Sequence, residues 1–321
     1  MKNFSFAGFL EIMNTFYINQ ISDITKSKIE NLSIVLGFFD GCHLGHLSLI
    51  NEAKKDPSRK IALFTFDKNI KAESKTLFSL ESRIKLFEAC GVDYLYIFKA
   101  SESFKNTSYQ DFIDKYLKQF NHSKFYLGSD YSFGKGGAGK TDDLIKSGLD
   151  IVIIPFVLDD EGKKLSSSTI RNLVENGEIE KANSYLSTEF FIEGKVKHGL
   201  NNGTKFILPT ANIEIDDSLV FPKNGVYITK VEINEKEYIG ITNIGTHPTI
   251  DALEKPIIET FILNFDENLY SKNIKIRFFK RLRDEKKFAN IDELKNQIMR
   301  DKDQAINYFE WIRLHWTYSY L

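Results

Sequence analysis

Cysteine is scarce in this sequence: 321 residues hold two, Cys42 and Cys90, in no spacing that ligates a metal. Two cysteines give no multi-bridge scaffold, and a reducing, cytoplasmic setting is the simpler expectation. No stretch reaches the ~18 apolar residues that would cross a bilayer. The opening segment MKNFSFAGFLEIMNTF interrupts its apolar run with a glutamate and offers no small-residue cleavage site, so secretion is not expected either. Neither sign of charge dominates: 43 basic residues against 44 acidic leave −1, too little to recruit nucleic acid or an anionic membrane. Any anion must be gripped by local groups. Internal repeats and low-complexity tracts are missing too, and 42% apolar with 27% charged residues is the composition of a packed chain.

What is present falls into two patterns, matching the two domains expected at ~100–200 residues each. In the first, strand-like runs (LSIVLGFF, KIALFTF, VDYLYIF, KFYLG and DIVIIPFVL, the last read as buried) alternate with helical ones (HLSLINEAKK, SRIKLFEACG, YQDFIDKYLKQF, SSSTIRNLVENG). This predicts an α/β domain, a parallel sheet with helices on both faces. Past Leu186 the strands EFFIEGKVKHG, FILPTANIEI, GVYITKVEI, KEYIGITNIG, PIIETFILNF and NIKIRFFKRL follow one another without helices. They predict an all-β antiparallel sheet or small barrel, closed by a helix over 292–309 with apolar spacing at Leu294, Ile298, Ala305 and Phe309. The domains are thus expected at 1–186 and 187–321.

Only six histidines occur, yet His43 and His46 stand three apart in GFFDGCHLGH, directly after the run Ile34-Val35-Leu36. In an open α/β sheet ligands bind beyond the carboxyl ends of the strands, where a helix start offers unpaired N–H groups to phosphate. Gly41 and Gly45 permit a sharp turn and close approach to an anion, on which two imidazoles can converge. A single histidine at a turn is ordinarily solvated; two framed by glycine at a strand-to-helix junction point to phosphate chemistry. Glu259 shares a strand face with Ile257, Phe261 and Leu263, and a carboxylate on an apolar face needs a partner or a purpose.

His43-Leu44-Gly45-His46 resembles the HxGH signature of the nucleotidyltransferase superfamily, which it shares with class I aminoacyl-tRNA synthetases and with pantetheine-phosphate and glycerol-phosphate nucleotidyltransferases. LSSSTIR, from Leu165 to Arg171, is similar to the second signature, and GSDYSFGKGGAG to the glycine-rich loop of FAD synthetases. LPTANI, NGVYI, NIGTHPT and IETFILNF then recur in the order of the bacterial bifunctional riboflavin kinase/FMN adenylyltransferase family, so that the resemblance covers about residues 16 to 310. It implies a Rossmann-like nucleotidyltransferase domain followed by a riboflavin kinase barrel. It implies ATP, riboflavin, FMN and FAD as substrates and products, Mg²⁺ held by Thr210 and Asn212, and Glu259 as the base toward the riboflavin 5′-hydroxyl. His43, His46 and Arg171 would act on the nucleotide phosphates. Gly37, Asp40, Gly41, Gly45, Gly128, Asp130, Ser166, Ser167, Ser168, Asn243 and Arg283 would contact nucleotide or flavin. Its partners would be small molecules, the enzyme a monomer or weak homo-oligomer.

The chain departs from the family pattern at several positions. Phe38 stands where asparagine is usual, Lys68-Asn69-Ile70 replaces a His-Pro pair after TFD, Ser168 a threonine, Ile207 a glycine, and STEF replaces GRPY at the domain junction. Two other readings stay open. GKGGAGKT, Gly134 to Thr141, satisfies the P-loop formula, although polar SDYS separates it from the strand FYL. A non-catalytic flavin-binding regulator with decayed sites is the other.

Overall fold

The computed structural model describes residues 12–69, 75–197, 210–214, 216–247 and 255–317. Ile70, Ile207, Leu208, Pro209, Pro248 and Thr249 lie outside them. The chain separates into two compact units, residues 1–170 with 185–187 and residues 171–184 with 188–321.

In the first half, elements alternate as the apolar periodicity requires: β1 (Asn14–Ile18), α1 (Ile21–Ser27), β2 (Leu32–Leu36), α2 (Leu44–Ala53), β3 (Lys60–Phe66), α3 (Leu80–Ala89), β4 (Tyr94–Phe98), α4 (Glu102–Lys105) and α5 (Tyr109–Lys115). They continue as β5 (Lys124–Gly128), β6 (Ser132–Phe133), β7 (Gly139–Lys140), α6 (Thr141–Lys146), β8 (Asp150–Ile154), α7 (Ser167–Glu175) and α8 (Ile179–Tyr185). Six strands form one sheet in the order β1-β4-β3-β2-β5-β8, every neighbouring pair parallel. Strand order reverses between β2 and β5, and such a switch point leaves a crevice at the strands' carboxyl ends.

Alternation along the strands fills both faces. Ile34 and Leu36 of β2 pack with Phe64, Tyr96 and Phe125 on one side, while Val35 packs with Leu63 and Leu95 against Ile50 of α2 and Phe87 of α3 on the other. Each such side chain withdrawn from water contributes about 1.5–3 kcal/mol. DIVIIPFVL differs from expectation: β8 stops before Pro155, and Ile153 remains 39% exposed. As an edge strand it has a neighbour on one side only. The other edge, β1, was not legible in the sequence.

The second unit is a barrel of β9 (Phe191–Lys197), β10 (Thr210–Ile213), β11 (Gly225–Ile233), β12 (Lys236–His247), β13 (Lys255–Ile262) and β14 (Asn273–Arg283). It closes in the order β10-β13-β12-β11-β14-β9, all pairs antiparallel. The end of α7 and α8 belong with it, although they precede position 186. Asn183 Nδ2 donates to the Phe278 carbonyl of β14 at 2.8 Å, and its Oδ1 accepts from Phe190 N–H. The closing helix α9 (Ile291–Thr317) is longer than predicted and packs Ala305, Ile306 and Phe309 on Ile228, Ile241 and Phe279.

Inside the barrel three fully buried hydroxyls satisfy one another: Thr229 and Thr242 at 2.8 Å, Thr242 and Thr260 at 2.9 Å. Thr242→Val keeps the shape but deprives both neighbours of their shared partner. A loss of about 1–3 kcal/mol is expected, read as a lower denaturant midpoint for barrel unfolding; an unchanged midpoint would show that the hydroxyl chain adds nothing.

Candidate active site

A cavity of about 300 Å³ opens where the switch point predicts, lined by Gly37 beyond β2, Gly128 at the end of β5 and Ile154 at the end of β8. The starts of two helices reach it, His43, Gly45 and His46 from α2 and Ser166 and Ser167 from α7. Two sets of helix N–H dipoles therefore converge on one space, the electrostatic setting for an anion.

His43 is the N-cap of α2, and its carbonyl accepts from His46 N–H at 2.8 Å. The two rings stack at 3.6 Å between centroids with 23° between planes. Gly45 makes this possible: a Cβ there would meet His43 Cε1 at 3.0 Å. Phe39 supports the pair edge-on, 5.1 Å from the His46 ring. The preceding loop is tightly wound, with φ of +58° at Phe39, +88° at Gly41 and +42° at Cys42. Both imidazole Nδ1 atoms are buried without a hydrogen-bond partner among the described residues.

Charge is disfavoured on both rings. Burial, then the nearby Lys164 cation, lowers His43 to about 4; burial, then His43, Arg83 and Lys164, lowers His46 well below its usual value. Near neutral pH the pair is uncharged, able to donate N–H groups to phosphate oxygens.

Arg83, 1% exposed, fixes the loop from beneath. It donates to the carbonyls of Phe38 at 2.8 Å and Phe66 at 2.7 Å, and it lies 4.5 Å from the Phe38 ring centre. Burial lowers its pKa to about 10 while Asp40 and Asp67 raise it, so it stays charged. Phe38, the departure from asparagine, thus caps this guanidinium and lines the cavity. Sequence reasoning missed Arg83, although on α3 it shares the buried stripe of Leu80 and Phe87. It also missed Lys164, which pairs with Asp130 and sits 4.4 Å over the Phe156 ring.

Of the residues expected here, His43, His46, Gly37, Gly45, Gly128, Asp130, Ser166 and Ser167 line the cavity. Ser166 caps α7, accepting from Thr169 N–H at 3.2 Å; Ser167 Oγ donates to the Asp40 carbonyl at 2.8 Å, tying helix to loop. Asp40, Gly41 and Ser168 are not among the lining residues. Asp40 is buried and its carboxylate accepts from Leu77 N–H at 2.8 Å. At Gly41 a Cβ would strike Leu77 Cδ1 at 2.6 Å, so that glycine serves the turn. Ser168 is exposed, and Arg171 lies one helical turn past Ser167.

GKGGAGKT is spent on packing. β6 and β7 form a two-stranded ribbon apart from the parallel sheet, and a Cβ at Gly134 or Gly139 would collide with Tyr109 at 2.6 or 2.5 Å. Lys140 Nζ donates to the Gly137 carbonyl. A P-loop requires a sheet strand before its turn, and the P-loop reading is not supported.

In the barrel, register assembles the second set. Asn212 of β10 stands opposite Glu259 of β13, which stands opposite Asn243 of β12. Val226 of β11 continues this row from Asn243 to Arg283 of β14. Directly paired residues share a face, and Thr210, two before Asn212, shares it as well. Asn243 Nδ2 donates to Glu285 Oε1 at 3.2 Å. Arg283 is held by Asp301, with Nη2 to Oδ2 at 2.8 Å and Nε to both carboxylate oxygens at 3.2 Å. Asp301, 1% exposed, also accepts from Gln297. It falls on the α9 stripe of Leu294, Ile298 and Ala305, where the sequence pattern already made an acid conspicuous.

A parallel sheet opening at its switch point onto neutral paired imidazoles, in one chain with a closed six-stranded barrel, defines a two-unit transferase of the nucleotidyltransferase superfamily. The family model for riboflavin kinase matches residues 186–309 and that for FAD synthetase residues 25–169. The chain belongs to the bifunctional riboflavin kinase/FMN adenylyltransferase family. The protein of that name from Bacillus subtilis (strain 168) is 38% identical over 94% of this chain and 100% of its own length. The one from Escherichia coli (strain K12) is 29% identical over 91% and 97%. A crystal structure from Streptococcus pneumoniae, described as a macrolide-efflux protein, matches with TM-score 0.84 and 28% identity over 92% of this chain and 99% of that one. Among the described residues of the present chain no helix is long and apolar enough to cross a membrane.

The depressed imidazole pKa has a consequence for stability. Above the ordinary value near 6.5 both folded and unfolded chains carry neutral His43; as pH falls the unfolded chain takes up its proton first. The stabilisation is therefore present above about 6.5 and gone by about 4, a difference of about 3 kcal/mol for His43. Between about pH 7 and pH 5 the wild type should lose more thermal stability than His43→Asn. Parallel melting-point profiles for the two proteins would overturn the assignment of neutral imidazoles.

Proposed function

We propose that the chain makes FMN and then FAD by two successive transfers from ATP, the first in 187–321 and the second in 1–186. In the kinase reaction the riboflavin 5′-hydroxyl oxygen attacks the γ-phosphorus of ATP, Glu259 accepts its proton, and the bond to the β,γ-bridging oxygen breaks to release ADP. In the adenylyl transfer an FMN phosphate oxygen attacks the α-phosphorus of a second ATP, and pyrophosphate leaves. His43 and His46 donate to the α-phosphoryl oxygens as charge builds there, while Ser166, Ser167 and Arg171, with Lys164, hold the departing pyrophosphate. FMN phosphate is already ionised near neutral pH, so this site needs no general base.

One observation supports the reading: His43 and His46 line a cavity in the first unit, and Asn212, Glu259 and Asn243 stand in register on three neighbouring strands of the barrel. Both transfers depend mainly on positioning and charge neutralisation, for which such sparse sets suffice. Thr210 and Asn212 beside Glu259 suit Mg²⁺, which keeps several waters and takes few protein ligands. Among the described residues no three histidine, cysteine or acidic side chains gather to hold a metal by themselves. Bound there with the ATP phosphates, Mg²⁺ would offset their charge. Asn243 and Arg283, paired in turn with Val226, would supply flavin or nucleotide contacts. We assign the enzyme to the cytoplasm, where ATP is abundant, as a monomer or weak homo-oligomer.

Chromatography of flavins after incubation with riboflavin, ATP and Mg²⁺ tests the reading. His46→Ala should lower FAD formation by about 100-fold or more and leave FMN formation intact. Glu259→Ala should lower FMN formation by about 100-fold or more and still convert supplied FMN to FAD. Should Lys140→Ala abolish ATP turnover while His46→Ala does not, the assignment fails.

A further inference from the structure

Cys42 and Cys90, 48 positions apart in sequence, meet in the fold with their Sγ atoms 3.4 Å apart. Neither belongs to the catalytic set. Cys42 is fully buried and precedes His43 in the left-handed loop; Cys90 is the partly exposed C-cap of α3. Gly91 follows with φ of +71°, and its lack of a side chain leaves room for Lys54, whose Nζ donates to the Cys90 carbonyl at 2.5 Å.

We propose that this thiol pair is an oxidisable site at which hydrogen peroxide forms a Cys42–Cys90 disulfide that switches off adenylyl transfer. This rests on the reading of the imidazole site given above. The two thiols are unequal. The hydrogen bond from Cys42, then the Lys54 charge working against burial, lowers the Cys90 pKa, whereas the same contact and burial raise that of Cys42. Cys90, the more accessible and more acidic, is the attacking group. Its thiolate displaces hydroxide from peroxide to give a sulfenic acid; Cys42 sulfur then attacks that sulfur and water leaves. Two thiols and one peroxide yield one disulfide and two waters. In a reducing cell such a bond is transient, the form in which cytoplasmic disulfides usually act.

Its effect follows from position. Sulfurs 3.4 Å apart must close to about 2 Å in a disulfide. That pulls the residue before His43 toward the end of α3. The loop carries three left-handed residues and is anchored by Arg83 and Ser167, so it has little slack. Displacing a catalytic group by about 1 Å can cost on the order of 100-fold. The barrel contains neither cysteine.

Full-length enzyme, reduced and desalted, is treated with stoichiometric hydrogen peroxide. A product roughly 2 Da lighter, with peptides around 42 and 90 cross-linked, is expected. FAD formation from FMN should fall at least about tenfold, FMN formation from riboflavin should persist, and a thiol reductant should restore the first. Cys90→Ser, which leaves the catalytic groups in place, should keep basal FAD formation and lose the peroxide response. The proposal is overturned if the thiols survive or over-oxidise without bridging. It is also overturned if the bridged enzyme makes FAD at full rate, or if Cys90→Ser responds like the wild type. Fully reduced wild type that makes no FAD would instead sink the reading of the imidazole site, and the mass measurement would still decide whether the bridge forms.

Discussion

Two imidazoles stacked 3.6 Å apart can coexist only if they are not both charged, and the first unit is organised around that requirement. Burial keeps them neutral, with Lys164 and Arg83 adding repulsion against protonation. The stack exists because position 45 has no side chain. It faces the cavity because the loop before it winds through three left-handed residues, anchored by Arg83 below and by Ser167 from α7. Neutral rings still carry N–H groups, and a phosphoryl group accumulating negative charge in the transition state is the partner such donors suit.

The barrel meets the same problem by different means. There the groups are aligned by strand register: Asn212, Glu259 and Asn243 occupy directly paired positions on three neighbouring strands. A ladder of backbone hydrogen bonds on a closed barrel holds such a row with little freedom to slip, because a shift of one residue would turn every side chain to the opposite face. Positioning is most of what phosphoryl transfer asks of a protein.

Each unit also carries one deeply buried ionic group where periodicity calls for an apolar one, Arg83 on α3 and Asp301 on α9. A buried charge is costly unless paired or hydrogen-bonded. The two terminal nitrogens of Arg83 donate to backbone carbonyls that shape the loop, and Asp301 is paired with the Arg283 guanidinium at the end of the barrel row. In both cases the charge orients a neighbour of the site.

The fold class, the change from alternating to all-β architecture near Leu186, the two histidines and the serine-capped helix were all legible in the sequence, since they rest on periodicity and on local turn chemistry. Arg83 and Asp301 left a trace as charges on apolar stripes, but what they hold became visible only in three dimensions. The P-loop formula was satisfied by spelling alone; two of its glycines, Gly134 and Gly139, answer to Tyr109, a residue of another element. Asp40 reads as a ligand contact in the motif, yet its buried carboxylate accepts from Leu77 N–H, because a motif fixes neighbours along the chain and not the direction in which a side chain leaves it. The meeting of Cys42 with Cys90 is likewise a decision of tertiary structure: 48 residues separate them, and only the packing of α3 against the loop after β2 closes that gap.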